Sequence, residues 1–275
     1  YKVNDNEFIE SSPYTNFWRA PIDNDYGNNL PLRSKEWKVA SNNRDFESIQ
    51  SKRIDANLIE VVVTFKLTNI DSSNKMTYLI NSKGVMKIKN EFTYGGSLKD
   101  AQMPRFGMNF SIPKQYNNVV WYGRGPHENY IDRKSSAFVG LYENSVDDLD
   151  FEYSRPQENG YRTDVRWFKV LNKNNVGFEI KGDPLLSFSA HYNTIEDFDD
   201  GLSPNKPGEN VGSRKRIVKK QRKPIDVVKR NFISLNVDLK QMGVGGDNSW
   251  GARVLDKYII NPGNLSYTYS IRPID

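Results

Sequence analysis

The chain has no cysteine and only two histidines, His127 and His191, in 275 residues. A disulfide framework, a thiolate metal site and a cysteine nucleophile are therefore excluded. A histidine-rich metal site is excluded as well, and any catalytic triad would have to use one of those two histidines. No apolar run approaches the ~20 residues of a membrane-spanning helix. The first ten residues, YKVNDNEFIE, lack a basic segment followed by an apolar one, so no secretory signal is expected there. The missing initiator methionine reads as a processed or excised piece. Helical periodicity is scarce too, because no segment holds a 3.6-residue repeat for three turns. Gly-x-Ser-x-Gly elbows, zinc-ligand spacings and phosphate loops are missing.

Aromatic residues are plentiful at 12%, against 37% hydrophobic and 27% charged residues. That balance fits a globular chain and not a disordered one. The length suits one large domain or two small ones, with roughly three quarters of the unfolded surface buried. The net charge of +5 is local. Residues 214–223 read RKRIVKKQRK, and without those seven basic side chains the balance is 32 basic against 34 acidic. A nucleic-acid surface needs a distributed footprint with stacking aromatics. The run has no aromatic, so it reads as a solvated loop or hairpin edge.

The dominant period is two. In residues 59–67, Ile59, Val61, Val63, Phe65 and Leu67 share a face, and in 232–239, Ile233, Leu235, Val237 and Leu239 do. Near the end, Leu265, Tyr267, Tyr269 and Ile271 alternate with polar residues. Shorter runs recur at 77–80, 85–92, 119–122, 165–171, 176–180, 185–190 and 254–260. These patterns predict half-buried antiparallel strands. Short helices are expected around 34–40 and 146–149. Turn clusters between the runs and the lack of helical interludes predict an all-β sandwich or barrel. The whole of 1–275 reads as a single domain. Residues 197–223 form a long excursion within it, expected to be mobile.

Four polar segments carry aromatics among Gly, Pro, Asp, Asn and Arg: 16–27 (NFWRAPIDNDYG), 121–134 (WYGRGPHENYIDRK), 155–167 (RPQENGYRTDVRW) and 241–251 (QMGVGGDNSWG). Loops of this type place charged forks and flat rings on a rigid scaffold. In the last, Gly243, Gly245 and Gly246 permit positive φ and close backbone approach. Trp250 sits in a Gly-flanked position beside Asp247 and Asn248. An exposed indole stacks on the C–H face of a pyranose while the polar groups take its hydroxyls. The competing reading is a Trp folded back as a loop anchor.

His127 and Glu128 could serve as acid and base. In an extended stretch, however, neighbours point to opposite faces. A turn with an ion pair from Glu128 to Arg124 or Arg133 is the plainer reading. His191 ends an apolar strand and reads as a satisfied edge residue. Asp23 with Asp25, and Asp147 with Asp148, lie in loops with no sign of desolvation. Asn90-Glu91 falls inside a strand pattern, so its likeness to a glycosidase acid/base dipeptide is taken as coincidence.

Together and in order, the four segments resemble the C-terminal small-chain (fifth) domain of large bacterial β-galactosidases of glycoside hydrolase family 2. The resemblance runs from Asn16 to Ile271. It implies a β-supersandwich like that of galactose mutarotases, with many antiparallel strands and few short helices. It also implies a parent enzyme that hydrolyses terminal β-galactosides with retention, through two glutamates on a (β/α)₈ barrel outside this chain. No catalytic residue is expected here, and no metal or cofactor. The family's Mg and Na ions belong to the catalytic domain.

On the same basis, Trp250 reaches the barrel mouth and stacks on sugar, with Asp247 and Asn248 beside it. Arg19, Asp23, Asn24, Asp25, Gly27, Gly245 and Gly246 shape the surrounding loops. Arg19 is expected to pair with Asp23 or Asp25, and the DNDYG loop to be mobile. Arg124, Glu128 and Asn129 form a structural network. The implied partners are a β-galactoside and the rest of the parent enzyme, with no nucleic acid and no membrane. Oligomeric state and compartment, cytoplasmic or periplasmic, stay open.

The sequence departs from the family in three ways. His127 stands where Gln is common, the basic run has no counterpart, and few residues precede the NFWRAP segment, so the first strand or strands are expected to be missing. The alternatives are a stand-alone carbohydrate-binding module and an aldose 1-epimerase-like enzyme.

Overall fold

The computed structural model describes residues 1–4, 6–98, 101–199, 209–211, 214–216, 223–248 and 251–274. Short strands β1 (Lys2–Val3) and β2 (Asn6–Glu7) pair with each other, and β3 (Tyr14–Asn16) follows. Helices α1 (Asp23–Gly27), α2 (Leu30–Arg33) and α3 (Lys35–Asn42) come next. Then run β4 (Asp45–Asp55), β5 (Leu58–Leu67), β6 (Ser72–Asn81), β7 (Met86–Thr93), β8 (Arg105–Pro113), β9 (Asn118–Gly125) and β10 (Phe138–Ser145). After α4 (Val146–Leu149) come β11 (Arg162–Leu171), β12 (Gly177–His191) and α5 (Ile195–Phe198). The pair β13 (Glu209–Val211) and β14 (Arg214–Arg216), then β15 (Phe232–Gln241) and β16 (Leu265–Ile274), complete the chain. Most of 197–223 lies outside the described residues.

Twelve of these strands form one antiparallel sheet that forks at β12. The stem is β10-β9-β11-β12. The first half of β12 pairs with β16, from Gly177 opposite Ile274 to Asp183 opposite Thr268. Its second half pairs with β15, from Ser187 opposite Asp238 to His191 opposite Ser234. One arm continues β16-β7-β6-β5-β4, and the other β15-β8-β3. The all-β expectation therefore holds. The runs 176–180 and 185–190 are one long strand. Residues 254–260 contain a 3₁₀ turn at Asp256–Tyr258 instead of a strand.

The core is aromatic. Phe17 packs against Trp37, Phe92 and Phe106 with ring centroids 4.9–6.0 Å apart. Phe168 stacks on Phe188 at 4.3 Å. Such pairs add about 0.5–1.5 kcal/mol each beyond burial. In β16 the alternation works as read, with Tyr267, Tyr269 and Ile271 buried. In β15 it does not mean polar-out: Ser234, Asn236 and Asp238 are buried as well. Asn236 accepts from Asn109 and donates to Ser189, so this second face is a hydrogen-bonded layer. At the far end, Phe46 and Ile49 (62% exposed each) and Ile59 (47%) stay open. Their register places them on the same sheet face as the buried Met76 and Ile88.

Candidate functional site

Arg19 is fully buried, and its guanidinium joins two segments far apart in sequence. Nη2 donates to both oxygens of Asp25 at 3.2 and 2.9 Å. Nη1 donates to the Met242 carbonyl at 3.1 Å and Nη2 to that of Gly243 at 3.2 Å. Of the two partners the sequence offers, Asp25 is the one used. Asp23 sits apart, 3.9 Å from Arg155. Asp25 also accepts the Ile22 N–H at 3.0 Å, which caps the start of α1. The DNDYG segment is thus a short helix and not the loop expected. Its acidic first turn and that cap favour the helical form.

The segment after β15 is held from a second side by Asp132. Its carboxylate accepts from the N–H groups of Val244 (3.1 Å) and Gly245 (2.6 Å). A Cβ on Gly243 would come within 2.5 Å of that carboxylate. Close approach, not positive φ, is therefore what Gly243 and Gly245 provide. The positive φ of this segment falls on Gly251 (+98°), whose Cβ would meet the Gly27 backbone at 2.3 Å. Asn24 donates to the Asn248 carbonyl at 3.3 Å. Asn24 and Gly27 of α1 thus touch the segment on both sides of Ser249 and Trp250. Those two residues, the principal stacking candidate Trp250 among them, lie outside the described residues. Asp247 is exposed, and Gly246 packs against the Ala252 carbonyl.

Asp23, Asn24, Tyr130, Arg133, Glu158 and Val244 surround a cleft of about 390 Å³. Beneath it, Arg105 donates to Glu158 at 2.7 Å, and its Nε lies 3.4 Å from Asp238. Both Arg105 and Asp238 are fully buried. Tyr130 and Tyr161 stack at 5.6 Å above this ion cluster. Burial pushes both phenols well above their usual range. Burial also pushes the Asp238 carboxyl up to about 7, outweighing the attraction of Arg105.

That shift fixes a pH dependence. An acid whose native pKa lies above its unfolded value stabilises the fold fully below ~4, and loses that contribution as pH rises to about 7. Asp150, Asp164 and Asp197 act in the opposite sense and at lower pH. Burial opposes it, but His191, Lys134 and Arg230 hold these three below the usual carboxylate range. The melting temperature of the wild type minus that of Asp238→Asn should therefore be larger at pH 5 than at pH 8, by several degrees. A difference independent of pH would contradict the assignment.

The other sequence candidates are structural in their contacts. Arg124 pairs with Asp164 and donates to the carbonyls of Lys134 and Ala137. Asn129 bridges the His127 carbonyl and Thr163. Glu128 pairs with Arg133, not Arg124. His191 is buried against the Asn159 carbonyl at 3.0 Å. Glu91 faces Lys75 and Lys89 on the outer surface. His127 and Glu128 line one cavity, contrary to the opposite-face expectation, because residues 126–129 lie beyond the end of β9. Sequence reasoning missed Asp132, Arg105 and Tyr153 as site-forming residues. Asp132 does fall inside a singled-out segment, but its partners are more than a hundred residues away. Among the described residues, no group of three or more His, Asp or Glu side chains could hold a metal ion. No helix among them is long and apolar enough to cross a membrane.

A forked antiparallel sheet whose loops gather around a cleft lined by polar and aromatic residues defines an all-β domain with a candidate binding site. The family model described as beta galactosidase small chain matches residues 1–272. The chain belongs to that family. It is 33% identical to the beta-galactosidase of Priestia megaterium over 100% of its length, 31% identical to that of Streptococcus thermophilus over 100%, and 30% identical to that of Halalkalibacterium halodurans over 98%. It covers 24%, 25% and 25% of those proteins, so it spans about a quarter of the relatives' length. Among solved structures, the GH36 alpha-galactosidase AgaA of Geobacillus stearothermophilus aligns with 85% of this chain and 28% of its own, at a TM-score of 0.40 and 10% identity. A galactose mutarotase related enzyme of Lactobacillus acidophilus aligns with 83% of this chain and 72% of its own, at 0.36 and 7%.

Proposed function

We propose that this chain is the small-chain domain of a retaining family 2 β-galactosidase, and that it completes the wall of the substrate site. The observation that carries the reading is convergence. Residues from 19–27, 130–133, 153–158 and 242–248 meet around one cleft, although they are spread over most of the sequence. Their chemistry suits a polyol: carboxylate, amide and guanidinium groups beside aromatic rings. The two catalytic glutamates lie on a (β/α)₈ barrel outside these residues, so the chain alone hydrolyses no galactoside. Trp250 supplies the stacking surface, and Asn24 and Gly27 hold its loop from α1.

Trp250→Ala in the full-length enzyme tests this. Losing one aromatic stack worth about 1–3 kcal/mol lowers kcat/KM for lactose on the order of 5- to 150-fold. Trp250→Phe should restore much of the loss. Unchanged kcat and KM in the alanine variant would sink the proposal.

A further inference from the structure

A second cleft, of about 570 Å³, lies beside the first, and Arg133 and Tyr153 line both. Phe151 stands on its wall, 53% exposed, with its ring 4.6 Å from that of Tyr153. The cleft thus pairs apolar surface from Phe151, Leu149 and Pro126 with polar side chains on the same wall. The phenyl ring offers a flat apolar face, and His127, Asn144 and Asp148 surround it with hydrogen-bonding groups. That combination matches the two sides of a pyranose, C–H face and hydroxyl rim.

The charges select a neutral ligand. Glu128, Asp148 and Asp150 are nearly balanced by Arg133 and Arg162. The wall of the cleft is also held by its own polar contacts. Glu128 accepts from the Gly160 N–H at 2.8 Å and is further engaged by Arg133 and the Tyr153 hydroxyl. Asp150 sits 3.4 Å from His191. Arg162 donates to the carbonyls of Leu149, Gly160 and Pro126 at 2.8–3.0 Å. Held by that many donors, Glu128 ties the wall of the cleft together.

We propose that this second cleft is a further saccharide site, in which a neutral pyranose stacks on Phe151. Because Arg133 borders both clefts, a longer saccharide can run from one to the other. The ligand class rests on the reading of the first cleft, but the cavity and its residues are different.

Thiodigalactoside, which resists hydrolysis, is titrated into the full-length protein by saturation-transfer NMR. The expected result is two classes of site. Phe151→Ala should weaken one of them about fivefold or more, and Phe151→Trp should keep it. Trp250→Ala should affect only the other class. A single class that responds to Trp250→Ala and ignores Phe151→Ala would overturn this inference while leaving the proposed function intact. A single class with the reverse pattern supports the second cleft and undoes the role given to Trp250. The absence of saturable binding overturns the inference.

Discussion

Replacing Arg105 with methionine is expected to lower the unfolding free energy by about 3–5 kcal/mol at neutral pH. The side chain is fully buried between two carboxylates, Glu158 at 2.7 Å and Asp238 at 3.4 Å. Its positive charge, held more firmly than usual, is what makes their burial tolerable. Methionine fills the volume but leaves both acids without a counter-charge in a medium that solvates ions poorly. Asp238, whose carboxyl already sits at about 7 beside the guanidinium, must then take up its proton fully. The loss should be read as a drop in the urea midpoint with little change in slope. Adding Asp238→Asn to Arg105→Met should recover part of the loss, since one of the stranded charges is then gone. A midpoint equal to the wild type's in the single variant would refute the argument. Because Glu158 also lines the first cleft, activity of the full-length protein should fall in the same variant.

Arg19→Met is expected to cost a similar amount, about 3–5 kcal/mol, for a related reason. Asp25 loses both of its guanidinium contacts, and the carbonyls of Met242 and Gly243 lose their donor. The change is also local. Arg19 ties α1 to the segment that leads to Trp250, so a protease should cut between residues 19 and 30 faster than the drop in global stability requires. Arg19→Lys separates charge from geometry. An ammonium keeps the charge but cannot span the same fork of partners, so an intermediate midpoint is expected. Full stability in the lysine variant would show that charge alone matters there.

How far the sequence could be read depended on which faces are buried. The strand β16 was legible because one face is core and the other is not. The same alternation in β15 was misleading, because Ser234, Asn236 and Asp238 pair with other polar groups inside. β4 was illegible: its side chains are mostly exposed, so no core selects a pattern. α1 is a five-residue helix, too short to show a period, and read as a loop. At the site, the loops announced themselves through Gly, Asp, Asn and aromatic residues at high density. Arg19 with Asp25 was within reach because six residues separate them. Asp132 holding Gly245 was not, because they lie 113 positions apart and only the fold brings them together.

The fork at β12 has a consequence for how the molecule breathes. One strand supplies the hydrogen-bonding edge for both arms, the first half to β16 and the second to β15. Neither arm can peel away without freeing amides on the strand that holds the other. Partial opening should therefore be confined to the margins, such as β4 and β10, each paired on one side only. In a deuterium-exchange experiment the amides of β12 should be among the last to exchange, and those on its two halves should exchange together, as one cooperative unit. Away from those margins, the loops that form the first cleft would then ride on a scaffold that yields as one unit.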